Sequence, residues 1–125
     1  MIRLLLVDDY RDMRALVRHY IERTPDIRIV GEAEDGVVAV ALASALHPDV
    51  ILMDIQMPRM DGIVATQTVH EIAPQSAVIM FSTDDDRCTR ERAQAAGALA
   101  FVEKGGPMKL LLSAIRAAAQ PGIAV

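Results

Sequence analysis

Short, wholly apolar runs alternate with longer segments in which apolar residues return every third or fourth position, and this alternation repeats five times along the 125 residues. The apolar runs at 4–7, 50–53, 78–81 and 99–102 predict buried strands over 3–7, 50–53, 77–81 and 99–102, and 27–32, with weaker alternation, predicts an edge strand. Between them, Met13, Leu16, Val17, Tyr20 and Ile21 mark one core-facing stripe of a helix over 12–23. A second helix is predicted over 36–45, apolar at Val37, Val40 and Ala41 and on to Leu46. A third covers 63–72 and a fourth 87–96, the latter ended by Gly97 as its left-handed C′ residue. The last begins near Pro107, which suits a first helical turn, and runs to about 119. Its core stripe is Met108, Leu111, Leu112, Ile115 and Ala119, yet Leu110, Ala114 and Ala117 keep the other side apolar as well. That second apolar side predicts another burial partner, either a second copy of the chain or an attached domain.

Wholly apolar strands alternating with helices predict an α/β fold, a doubly wound parallel sheet covered on both faces. Right-handed crossovers leave few topologies. For five strands the expected order is 2-1-3-4-5, with its reversal point between strands one and three. Pro25, Pro48 and Pro74 then lie in helix-to-strand turns at one edge of the sheet. Asp8-Asp9, Asp54, Ser82-Thr83 and Lys104 all follow strands and converge at the opposite edge.

Composition narrows the picture. The 52% apolar content suits one core-bearing domain, expected over 1–120, with 121–125 a tail or the start of a linker. Cys88 is the one cysteine, so no intrachain disulfide is possible and a reducing cytoplasm is the expected compartment. No run is apolar enough to span a bilayer, and the acidic pair follows the first strand too closely for a signal peptide. Net charge is −4 and the basic residues are scattered, with Arg87, Arg90 and Arg92 set among acids. Direct contact with nucleic acid or membrane is therefore not expected.

Three carboxylates in one crevice repel one another unless a cation intervenes. Aspartate oxygens suit Mg²⁺, with Mn²⁺ as a substitute, whereas His19, His47 and His70 are too scattered to suggest zinc. Asp8 or Asp9 also suits a capping role at the start of the first helix. Asp54 can act as a nucleophile that takes a phosphoryl group. Lys104 offers a compact positive charge and Ser82 a neutral donor to its oxygens. The plainer role for Lys104 is an ion pair with Asp8, Asp9 or Asp54. Met57 and Met60 suit either loop packing or an adaptable contact surface. Tyr10 is expected to pack against the first helix.

Together the segments LLLVDD (4–9), VILMDIQMPRMDG (50–62), VIMFST (78–83) and GALAFVEKG (97–105) resemble the receiver domain of bacterial two-component response regulators. The resemblance covers almost the whole chain and implies a CheY-like (βα)5 fold. It implies Asp54 as the phosphoacceptor, and Asp8, Asp9, Asp54 and the backbone carbonyl of Gln56 as metal ligands. Ser82 and Phe101 would be switch residues, Lys104 the phosphoryl-sensing lysine, and Thr83 a further residue at the binding edge. It also implies a sensor histidine kinase or phosphotransfer protein as donor, slow self-catalysed dephosphorylation, and regulation of transcription through an attached output domain.

Thr83 stands where the family commonly has alanine, and Gly105-Gly106-Pro107 follows the lysine where many relatives have proline at once. The displaced proline is more similar to regulators of the NarL/LuxR type. Gln56 and Asp84 stand at positions that in the family tune how fast water reaches the phosphoryl group. Other functions compete. A haloacid-dehalogenase-like phosphatase would carry a second aspartate at position 56, where Gln56 has no titratable proton. A flavodoxin-like cofactor binder would need a Gly- and Ser-rich first loop in place of Asp8-Asp9-Tyr10-Arg11. A free-standing or degenerate receiver serving mainly as a protein-interaction module has no positive support where Asp8, Asp9, Asp54, Ser82 and Lys104 are all intact.

Overall fold

Every residue of Leu4–Val7 and Val50–Met53 is buried, so the two central strands have no solvent-facing side. That is what a sheet covered on both faces requires. The computed structural model describes residues 1–83 and 86–120; Asp84 and the tail expected at 121–125 lie outside the described residues. The chain runs β1 (Ile2–Val7), α1 (Arg11–Glu22), β2 (Ile27–Ala33), α2 (Gly36–Leu46), β3 (Val50–Met53), α3 (Gly62–Ile72), β4 (Ala77–Ser82), α4 (Arg87–Ala96), β5 (Ala100–Glu103) and α5 (Met108–Ala119). All pairings are parallel and the order is β2-β1-β3-β4-β5. The expected doubly wound five-stranded sheet is therefore the one observed, with its reversal between β1 and β3.

Strand alternation divides the core in two. Leu5, Val7, Ile51, Met53, Val78 and Met80 face Ala39, Ala43, Ala65, Val69 and Ala93 of α2, α3 and α4. Leu4, Leu6, Val50, Leu52, Ile79 and Phe81 face Val17, Ile21, Leu111 and Ile115 of α1 and α5. Alanine lines the first interface, which lets three helices lie close to the sheet.

Several predicted faces need correction. In α1 only Val17 and Ile21 of the expected stripe are buried, while Leu16 and Tyr20 are 45% and 42% exposed. The polar flank of the helix meets β2. Val30 is an extra residue in its pairing with β1, and beyond it Glu32 accepts from both Arg14 and Arg18. The core-facing row is Met13, Val17 and Ile21, so Leu16 and Tyr20 instead border a groove of about 400 Å³ beside Phe81, Pro107 and Met108. In α2 the buried positions are Gly36, Ala39 and Ala43, and Val37 and Ala41 are exposed. A helix apolar at nearly every position carries no periodic signal, and the smallest side chains take the sheet-facing side. Leu99 precedes β5 and is exposed, since β5 is an edge strand. In α5, Leu111 and Ile115 are buried, Met108, Leu112 and Ala119 pack half-buried around them, and Leu110 is exposed. Gly97 ends α4 at φ +114°, as expected of a C′ glycine.

Candidate functional site: an acidic crevice at the strand ends

Backbone pairing brings the site together. The Asp54 N–H donates to the Val7 carbonyl at 3.0 Å, the Asp8 N–H to Ala33 at 3.0 Å, and the Lys104 N–H to Ser82 at 2.9 Å. Residues distant in sequence thus leave adjacent strands side by side. Asp8 and Asp54 are buried and Asp9 is exposed. One carboxylate oxygen from each lies within 4.8 Å of the others, so the three can hold a divalent cation. Among the described residues this is the one such acidic group.

Lys104 supplies the opposing charge. Its Nζ is 2.8 Å from Asp8 Oδ2 and 3.3 Å from Asp54 Oδ1, and 5.7 Å from the centre of the Phe81 ring. Asp54 Oδ1 also accepts the Ile55 N–H at 2.9 Å, and Asp8 Oδ1 the Tyr10 N–H at 2.8 Å. Asp8 Oδ2 is buried against the Lys104 ammonium, 2.8 Å away, and forms no other polar contact among the described residues. One ammonium against three carboxylates leaves two negative charges in a partly buried space. Burial, reinforced by the charge of Asp8 and opposed by Lys104, pushes the Asp54 carboxyl up from 3.8 to about 6. Three convergent carboxylates, a surplus of negative charge and an all-oxygen donor set fit a hard divalent cation.

A cleft of about 340 Å³ opens over these groups, lined by Asp9, Tyr10, Met13, Asp54, Gln56, Ser82, Thr83 and Lys104. Ser82 is buried and Thr83 exposed at its wall. Phe101 is not part of it. Its half-buried ring packs against the alanine-lined core under the Arg90 guanidinium, 4.7 Å from the ring centre.

The capping role considered for Asp8 and Asp9 is not realised. Helix α1 starts with Tyr10 as N-cap and no side-chain cap, because Asp8 spends its Oδ1 on the Tyr10 N–H, ahead of the helix. Tyr10 itself is 71% exposed rather than packed against α1. Met57 and Met60 pack half-buried against the core, which decides their role for packing. Gly105 has φ +91°, a backbone that glycine adopts without strain, and the described residues contain no cis peptide bond.

Residues 4–116 match the model of the response regulator receiver domain. The chain belongs to that family. This receiver is 43% identical over 104 residues to protein-glutamate methylesterase/protein-glutamine glutaminase 1 of Methanosarcina acetivorans, covering 82% of the chain and 30% of that protein. It is 40% identical over 121 residues to the transcriptional regulatory protein LiaR of Bacillus subtilis, covering 96% of the chain and 57% of LiaR. The signal receiver domain of NarL from Mycobacterium tuberculosis superposes with a TM-score of 0.89 at 28% identity, over 96% of this chain and 98% of that one. The receiver thus spans between about a third and a little over half of these curated relatives. It is closely related to NarL/LuxR-type receivers, and membership sets aside the phosphatase and flavodoxin readings. No helix among the described residues is long and apolar enough to cross a membrane.

Sequence reasoning missed four residues around the site. Arg14 donates from Nη1 to the Asp8 carbonyl at 2.6 Å and from Nε to Glu32 at 3.1 Å. Asp35 accepts from Arg59, which sits at φ +67°. Asp35 before Gly36 is a readable N-cap signature, since its Oδ1 accepts the Val38 N–H. No sequence signal marks an arginine with a left-handed backbone.

Proposed function

We propose that this receiver takes a phosphoryl group on Asp54 and holds it as a signal. The observation that carries this reading is the half-buried Lys104 bridging the buried Asp8 and Asp54 carboxylates at the strand ends. In the transfer an Asp54 carboxylate oxygen attacks phosphorus. The bond from phosphorus to the donor breaks, and the leaving group takes up a proton from solvent. With its carboxyl at about 6, Asp54 is mostly ionised at neutral pH and competent as a nucleophile. Asp8, Asp9, Asp54 and the Gln56 carbonyl would hold Mg²⁺, or Mn²⁺ in its place. When bound, the metal supplies positive charge against the incoming phosphoryl oxygens. Lys104 then pairs with a phosphoryl oxygen in place of a carboxylate, and Ser82 donates to another.

The donor in this reading is a sensor histidine kinase or a phosphotransfer protein, as in the family at large. Ser82 and Phe101 are the residues proposed to carry the change to a protein-binding surface. The output is proposed to be transcription through an attached domain, supported by the 121-residue match to LiaR, which is longer than the 104-residue match to the methylesterase. Incubation with acetyl phosphate and Mg²⁺ should add about 80 Da, the mass of one phosphoryl group, by intact mass spectrometry. The gain should vanish in Asp54→Ala and with EDTA. A gain that survives Asp54→Ala, or none with any competent donor, overturns the reading.

A further inference from the structure

The loop from Asp54 to Asp61 carries Gln56 over the cleft, and it is held at two places. Its base is closed by the Gly62 N–H donating to the Ile55 carbonyl at 2.7 Å. Its tip is a tight turn in which the Met60 N–H donates to the Pro58 carbonyl at 2.7 Å, around Arg59 at φ +67°. That backbone is disfavoured for a long L side chain, so it persists only where the surroundings impose it.

What imposes it lies on another element. Arg59 donates from Nε at 3.0 Å and from Nη2 at 2.6 Å to the same oxygen, Asp35 Oδ2. The other oxygen of Asp35 caps α2 through the Val38 N–H at 2.9 Å. Asp35 is 5% exposed and therefore a fixed anchor. Both bonds to the buried carboxylate favour its charged form and hold its pKa below the usual range, the Val38 N–H most strongly and Arg59 next. The Gly36 N–H adds a bond to the Met60 carbonyl at 3.2 Å, and a Cβ at Gly36 would overlap that carbonyl. Helix α2 is itself seated by the fully buried Ala39 and Ala43. The loop tip is thus tied to a rigid helix that takes no other part in the site.

We propose that Asp35 and Arg59 are positioning residues: a charged clasp that sets the height of the Asp54–Asp61 loop, and with it the Gln56 carbonyl over the metal-binding crevice. This inference rests on the phosphoacceptor reading above for its consequence, but its first readout is metal affinity. Two anchors leave the loop little freedom between them, so releasing the tip moves the segment that holds Gln56. Residues that orient a metal's ligands from outside the coordination shell commonly change its affinity by about tenfold or more.

The test is Mg²⁺ binding by calorimetry without phosphodonor, followed by acetyl-phosphate labelling across a Mg²⁺ titration, with thermal melts in EDTA as the folding control. Arg59→Ala should weaken Mg²⁺ by about tenfold and raise the half-saturating Mg²⁺ for labelling by a similar factor. Labelling at saturating Mg²⁺ should return close to the parent rate. Asp35→Asn keeps an acceptor for Val38 and removes only the charge; it should give the same shift. The double variant should be no worse than the larger single one, because both break one clasp. Arg59→Lys should recover part of the loss. If Arg59→Ala and Asp35→Asn both bind Mg²⁺ like the parent, the clasp is overturned and the phosphoacceptor reading stands. If the parent binds Mg²⁺ and the variants shift but nothing is labelled, the phosphoacceptor reading falls and the clasp stands. If the parent binds no Mg²⁺, both fall.

Discussion

Asp54 is held partly against its own chemistry. Burial and the neighbouring Asp8 disfavour its charge, Lys104 only partly offsets them, and the carboxyl rests at about 6 instead of 3.8. A carboxyl whose pKa is higher in the folded than in the unfolded chain is a burden when ionised. Below about pH 4 it is protonated in both states and the burden is absent; the burden grows from about pH 4 to 6 and is full above that. A rise from 3.8 to about 6 corresponds to about 3 kcal/mol. In EDTA, Asp54→Asn should therefore melt several degrees above the parent at pH 7, with the gap closing toward pH 4. Asp26, Asp35 and Asp86, whose carboxyls sit below the usual range, lose stability as pH falls, but equally in both proteins. The difference between the two melting curves isolates Asp54. Added Mg²⁺ should narrow the gap at pH 7, since metal bound to the parent stabilises it by mass action. A gap independent of pH between 4 and 7 would rule this account out.

At the level of elements, strands are legible in the sequence and helix faces much less so. The three inner runs are apolar because both sheet faces are covered, and parallel order then forces Asp8, Asp9, Asp54, Ser82 and Lys104 to one edge. That much needs no knowledge of side-chain packing. Helix α1 realises only part of the periodic reading: Met13, Val17 and Ile21, at i, i+4 and i+8, face the core, and Leu16 and Tyr20 fall beside that row on the exposed flank. Arg14 and Arg18 both reach Glu32, presented by β2 beyond its extra residue Val30. The two arginines are not equal. Arg14 is 16% exposed and also donates to the Asp8 carbonyl, whereas Arg18 is 40% exposed. Arg14→Ala leaves that carbonyl and Glu32 short of a donor in a partly buried place and should lower stability by about 1–3 kcal/mol. Arg18→Ala should fall within about 1 kcal/mol, as for surface pairs. Urea unfolding of both variants decides; equal losses would mean that Arg14 has no special hold on the end of β1. The clasp residue Arg59 marks the far limit of legibility. Its left-handed backbone is imposed by Asp35, 24 residues away, and nothing local to Arg59 announces it.

On the scale of the whole molecule, the acidic crevice is as well placed as the helix packing around it is tight. The face of the sheet nearest the Asp54 loop is covered by alanines and glycines, so α2 and α3 can approach the strand ends. Gly62 shows how close the approach is. It is the first residue of α3, where alanine is the better helix former by up to about 1 kcal/mol. Local propensity alone therefore expects Gly62→Ala to stabilise. A Cβ there, however, would overlap the Asp54 carbonyl oxygen and lie 2.9 Å from Ile55 Cα, both backbone atoms that cannot swing aside. The chain must instead move α3 away from β3, at a cost of about 1–3 kcal/mol or more. Gly105 is the control with the opposite character: it sits at φ +91°, but nothing lies within 4 Å of an added Cβ. Gly105→Ala should cost only the backbone strain, about 1–2 kcal/mol, and leave the crevice undisturbed. Two measurements separate overlap from strain. Gly62→Ala should lower the urea midpoint and also weaken Mg²⁺ binding, because the displaced atoms belong to Asp54 and its loop. Gly105→Ala should lower the midpoint while keeping parent Mg²⁺ affinity. Unchanged Mg²⁺ affinity in a folded Gly62→Ala would mean that the crevice is indifferent to the seating of α3, and that its geometry is held by the strand ends alone.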